Sequence, residues 1–200
     1  MTNDATTSTF LDHLRTRTNT SHQKLESLPV SASILSETIT VADYARYLQL
    51  MHDVVQQTET LIFPILSDVV PDLDARRKTQ LLENDLAFIG ATIQPMNRVF
   101  DATDFSLPFA LGIMYTVEGS SLGGRFILKN IQSVLGFDEN NGAKYFAGYG
   151  NKTGSHWKNF LHVLTEYEQQ HGDSEAIIAG AQFAFDAIHD HFLTAGRHEN

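Results

Sequence analysis

Cysteine is absent from the 200-residue chain. That excludes disulfides, thiolate metal ligands, iron–sulfur clusters and a cysteine nucleophile. Basic charge is scarce, with 14 Lys+Arg against 24 Asp+Glu and a formal net charge of −10. Such a surface repels a phosphate backbone, so no nucleic-acid partner is expected. A small anion held by a few local cations remains compatible with it. Long hydrophobic runs are missing, and the opening MTNDATTST has neither a basic nor an apolar region. No membrane partner and no signal peptide are therefore expected, and the expected location is cytoplasmic.

Strand signals are missing too: apolar residues do not alternate with period two between turn pairs. What is present is helical spacing almost throughout. The pattern predicts an all-α fold, a single domain of about seven to eight helices over residues 10–200 behind a disordered polar tail of residues 1–9. The first helix spans about Phe10 to Leu28 and stops before Pro29, and a short one covers Ser33 to Ile39. Thr40 reads as the N-cap, with Asp43 three residues on, of a helix reaching about Ile62 before Pro64. Further helices run from Asp72 to Phe88, from about Leu107 to a C-terminal stop at Gly136, from Ser155 to His171, and from Glu175 to Phe192.

Two features carry chemistry. Leu11, Leu14, Thr18, His22 and Leu25 recur at three- and four-residue steps, which places His22 on the inward stripe of the first helix. There it is either a hydrogen-bonded core histidine or an axial metal ligand facing a cavity. Glu26, one turn on, can accept the Nδ1–H and fix the tautomer, leaving Nε2 to ligate. The second feature is YTVEGSSLGGRFILKN, a helical run with Gly119, Gly123 and Gly124 inside it. Each interior glycine costs about 0.8–1 kcal/mol relative to alanine. Gly112, Tyr115, Gly119, Gly123 and Phe126 share one face, a trough suited either to close helix packing or to close approach of a flat apolar ligand.

LRTRTNTSHQKLE followed by YTVEGSSLGG, with GSHWKNFLHVL and AQFAFDAIHDHF later, resembles the heme oxygenase family, particularly its short bacterial members. The resemblance covers nearly the whole chain beyond residue 10. It implies heme sandwiched between a proximal and a distal helix, with His22 as the iron's axial ligand. It implies Gly119 and Gly123 as the distal glycines over the heme face, with Arg15, Tyr115 and Lys158 near the propionates. Ser120 stands where many relatives carry an aspartate that anchors a proton-delivering water network. His162, four residues after Lys158, stands where some relatives have arginine.

The activity so implied is cleavage of heme by O2 to biliverdin, carbon monoxide and ferrous iron. Electrons come from an external reductase, ferredoxin or flavodoxin-type donor, since nothing resembles a flavin or nicotinamide fold. A neutral histidine avoids the strong electronic push of a thiolate, and Ser120 and Ser121 can hold ordered water. Two alternatives are a non-catalytic heme-storage protein and a di-iron helical oxidase. The latter rests on Glu168 with His171 and on Asp186 with His189, each at i, i+3 spacing. DARRK, Asp74 to Lys78, reads as a solvated face that could dock an acidic electron donor, and Trp157 reads as core packing.

Overall fold

A computed structural model describes residues 3–101 and 104–195, with side chains described for 9–101 and 104–194. Among the described residues there is no named strand, and helices follow in the order α1 (Asn3–Glu26), α2 (Pro29–Ser33), α3 (Val41–Gln57), α4 (Phe63–Leu66), α5 (Thr79–Phe88), α6 (Leu107–Gly119), α7 (Gly124–Leu135), α8 (Lys144–Ala147), α9 (Thr153–His171) and α10 (Ser174–Ala195).

Several boundaries differ from expectation for local reasons. No proline or glycine lies between Asn3 and Phe10, and α1 begins at Asn3. Residues 1–2 and 196–200 lie outside the described residues. The short second helix is centred earlier than Ser33–Ile39, because Pro29 supplies a preset φ and needs no N–H partner in the first turn. The third helix does not stop before Pro64. It widens into a π turn over Thr58–Ile62, and Pro64 then occupies the first turn of α4, where a missing N–H is harmless. The Thr40–Asp43 start is as expected. Thr40 Oγ1 accepts the Asp43 N–H at 3.1 Å, while Asp43 Oδ2 accepts the Thr40 N–H at 3.0 Å.

Helix α10 is the spine, with α6 and α1 both packed along it. The α6–α10 crossing is backbone on backbone. A Cβ on Gly112 would collide with Ile177 O, and one on Gly180 would collide with Phe109 O, so only glycine allows this approach. Thr116 Oγ1 adds a 3.1 Å bond to Ala181 O. Buried Tyr44, Leu48, Ile62, Leu111, Ile113 and Phe160 fill the interior between these helices. The extended segment before α6 is pinned by buried Gln57, whose Oε1 accepts the Val99 and Phe100 N–H groups at 3.0 and 3.2 Å.

Candidate functional site

On α1 the stripe predicted to face inward does so only in part. Leu14 and Thr18 are buried, but the His22 side chain is 49% exposed. The stripe therefore leaves the core at His22, one turn after Thr18, and the imidazole lies beside the Phe185 ring of α10, 5.3 Å between centroids. His22 Nε2 sits 3.2 Å from Glu26 Oε1. The expected pairing is present, but through the opposite nitrogen from the Nδ1 anticipated. Side chains one turn apart lean toward the helix N-terminus, which brings the Glu26 carboxylate back over the ring. Burial, with the Glu26 charge assisting, pushes the Tyr47 phenol up to about 12.

The glycines at and beside the predicted bare face divide into two groups. Gly112 is consumed by the α10 crossing, and Gly124 is pressed against Phe146 O, which a Cβ would approach to 2.8 Å. These two are packing glycines. A Cβ on Gly119 would meet nothing closer than the Trp157 indole tip at 3.4 Å, and one on Gly123 only Ser120 O at 3.6 Å. No neighbour requires glycine at these two positions, and Gly123 and Phe126 are exposed. The face is also not one continuous helix, because Ser120–Leu122 form a 3-10 turn between α6 and α7. Ser120 Oγ donates to Val117 O and Ser121 Oγ to Glu118 O, both at 2.7 Å, so the two hydroxyls tie down the carbonyls at the end of α6.

Tyr115 is half-buried on α6, its ring 5.3 Å from Trp157. Burial raises its phenol pKa, and the Arg15 charge opposes that rise. Arg15 is itself exposed and paired with Asp12 Oδ1 at 3.2 Å. Lys158 is exposed on α9. His162, one turn on, is exposed and lies 3.4 Å from Glu166 Oε1. Trp157 is half-buried beside Gly119 and Tyr115 and packs against the core, its ring 6.0 Å from that of buried Phe160.

The DARRK segment is a solvated face only in part. Its Arg76 side chain is 1% exposed, donating to Glu118 Oε1 at 2.6 Å and to both Asp72 oxygens at 2.7 and 2.9 Å. Lys78 Nζ is also buried, 3.4 Å from Glu118 Oε2 and over the Tyr149 ring, and Tyr149 donates to the same oxygen at 3.0 Å. Asp74, Ala75 and Arg77 of the segment face solvent. Burial lowers the Lys78 pKa against the pull of Glu118, and burial together with Glu118 raises that of Tyr149. This cluster lies directly under the glycine turn: Lys78, Ser120, Ser121 and Tyr145 line one small void of about 30 Å3. The cue in the sequence was Glu118, an acid placed immediately before Gly119.

For a di-iron centre, no group of three or more His, Cys, Asp or Glu side chains is placed to hold a metal among the described residues. His171 instead folds back on α9, its Nδ1 2.9 Å from Tyr167 O. Likewise His189 pairs with its neighbour Asp190 at 3.0 Å.

The helical architecture is that of solved heme oxygenases. The structure from Neisseria meningitidis with NO and CO bound aligns with a TM-score of 0.79 at 21% identity, over 93% of this chain and 91% of that one. The Leptospira interrogans heme oxygenase gives 0.77 at 17% identity over 92% and 98%. Heme oxygenase-1 of the cyanobacterium Synechocystis, in complex with heme, gives 0.74 at 16% over 92% and 91%. The sequence agrees. Residues 8–194 match the Heme oxygenase family model, and the chain is 30% identical over 177 residues to heme oxygenase PigA of Pseudomonas aeruginosa, 86% of each chain. The chain belongs to the heme oxygenase family. No described helix is long and apolar enough to cross a membrane.

Proposed function

We propose that the protein binds heme between α1 and the α6–α7 turn and degrades it with O2 and external electrons to biliverdin, carbon monoxide and ferrous iron. The observation that carries this reading is the pair Gly119 and Gly123. Their backbones are bare although no protein neighbour needs the space, whereas Gly112 and Gly124 are glycine for packing. A flat ligand seated there accounts for the missing side chains.

The residues present fit such a ligand. Half-exposed His22 would offer an imidazole nitrogen to the heme iron, and the Glu26 carboxylate, 3.2 Å from its Nε2, is placed to steady the ring. Arg15 and Lys158 are exposed cations for the propionates, with half-buried Tyr115 as a further polar contact and His162 one turn beyond Lys158. Bound heme supplies the oxygen-binding iron and is also the substrate. The chain's own residues provide orientation, exclusion of bulk water and proton placement. Ser120 and Ser121, whose protons are held by backbone carbonyls, retain oxygen lone pairs that can accept from ordered water. Lys78 and Tyr145 at the adjoining void are proton-bearing groups on the far side of that turn. Electrons come from a separate donor protein of ferredoxin or flavodoxin type.

Adding ascorbate to the hemin-loaded protein in air tests this. Bile-pigment absorption should grow as the Soret band falls. Formation of a stable hemin complex with no pigment supports the second reading, a heme-storage protein. That reading draws on one observation: the Ser120 hydroxyl proton is directed at Val117 O and not toward the slot.

A further inference from the structure

Arg76 donates to two elements assigned above to the heme slot and belongs to neither. It ends a 3-10 turn over Leu73–Arg76, between α4 and α5, and its side chain is 1% exposed. Its Nη1 donates to Glu118 Oε1 at 2.6 Å, and Glu118 is the residue before Gly119. Its Nη2 donates to the His156 carbonyl at 3.1 Å, and His156 is the residue before Trp157. The guanidinium also lies over the Phe160 ring, 5.8 Å from its centroid and one turn further along α9. One planar group thus joins the end of α6 to the first turn of α9, reaching partners 42 and 80 residues away in the chain.

Both attachment points lead into the slot. After Glu118 come Gly119, Ser120 and Gly123, and the Glu118 carbonyl itself accepts the Ser121 hydroxyl at 2.7 Å. After His156 come Trp157, whose indole tip bounds the space at Gly119, and then Lys158. Charge balance does not require the link between them. Asp72 already neutralises Arg76 at 2.7 Å, and Lys78 already neutralises Glu118 at 3.4 Å. The Arg76–Glu118 bond exceeds that balance, and what it adds is fixed geometry. Buried ion pairs bring little net stability over apolar residues of similar volume, whereas a guanidinium fork holds several acceptors in one plane.

We propose that Arg76 is a positioning residue for the heme slot. It holds the glycine turn in register with α9 and so fixes how heme is seated between that turn and Lys158. Its effect on heme rests on the reading of the slot given above; Arg76 itself touches neither heme nor oxygen and acts through Glu118 and the His156 carbonyl. A shift of about 1 Å in a positioning shell can cost on the order of a hundredfold in rate. Lysine at this position keeps the charge, but its ammonium is a single point donor and cannot serve Asp72, Glu118 and His156 in the plane of the fork.

The experiment compares wild type with Arg76→Lys, each loaded with hemin and converted to the cyanide complex, by the hyperfine-shifted heme methyl resonances in proton NMR. Wild type should show one dominant set. The variant, with its helical circular dichroism retained, should show shifted resonances or a second set. Ascorbate-driven turnover should then give a changed ratio of biliverdin isomers. A purely structural ion pair lowers the melting temperature and moves neither readout in the folded protein. If Arg76→Lys does not fold, Asp72→Ala carries the test, because partly exposed Asp72 orients the guanidinium through Nε and Nη2. The same changes are expected there, smaller in extent. A wild-type protein that takes up no hemin removes the heme reading, and this role with it. Hemin uptake with methyl resonances unchanged in the folded variant, or pigment formed in an unchanged isomer ratio, overturns the role of Arg76 alone.

Discussion

The Trp157 indole tip lies where it would be 3.4 Å from a Cβ on Gly119, an ordinary van der Waals separation. Alanine therefore fits at Gly119 in the folded protein, although it does not fit at Gly112. The two glycines of one helix should respond to the same substitution with opposite signs. Gly119→Ala should hold or raise the melting temperature, because alanine is preferred by up to about 1 kcal/mol in helical backbone, yet heme turnover should fall. Gly112→Ala should lower stability by about 1–3 kcal/mol or more through overpacking against Ile177. Thermal melts of both variants, with turnover measured for the first, check this.

The buried Arg76–Glu118 bond spans 2.6 Å between side chains 1% and 5% exposed. Glu118→Gln leaves Arg76 and Lys78 facing a neutral group in the interior. Removing one partner of such a pair costs about 3–5 kcal/mol, and the retained Asp72 contacts place the expected loss near the lower end. Urea denaturation measures it. A loss below about 1 kcal/mol would mean the cluster is wetter than its burial indicates.

The Asp43 carboxyl is held below its ordinary value of 3.8 by hydrogen bonds from the Thr40 side chain and backbone. The folded-state pKa is thus depressed, so the stabilisation is present above 3.8 and is lost as pH falls through the lowered value. Thr40→Ala should cost about 1 kcal/mol at neutral pH. That difference from wild type should shrink on acidification below the depressed pKa, and melts across the acid range should show the two curves converging.

Legibility in the sequence followed distance along the chain. The α3 start could be read from Thr40 and Asp43, three residues apart, and the C-terminal stop at Gly136 from its place after an apolar run, where its φ is +74°. The heme-family reading came from two local motifs. The split among the glycines could not be read, because Gly112 is defined by Gly180 on another helix and Gly124 by Phe146. Arg76 and Lys78 passed for surface charge because their partner Glu118 lies some 40 residues away, beyond any helical period. Pro64 misled in a different way: a proline ends a regular helix, but here a π turn precedes it and the chain continues along the same path. The ring nitrogen that meets Glu26 depends on a side-chain rotation that no spacing encodes.

The central claim is that His22 supplies the heme iron's axial ligand opposite the bare glycine turn. Hemin titration of wild type and His22→Ala, read by the Soret band and the resonance Raman signature of the axial ligand, tests it most directly. Wild type should form a saturable histidine-ligated complex. The variant should lose that signature while keeping its helical circular dichroism, and added imidazole should restore it. A wild-type protein that forms no Soret complex, or a folded His22→Ala variant with unchanged axial ligation, would contradict the account.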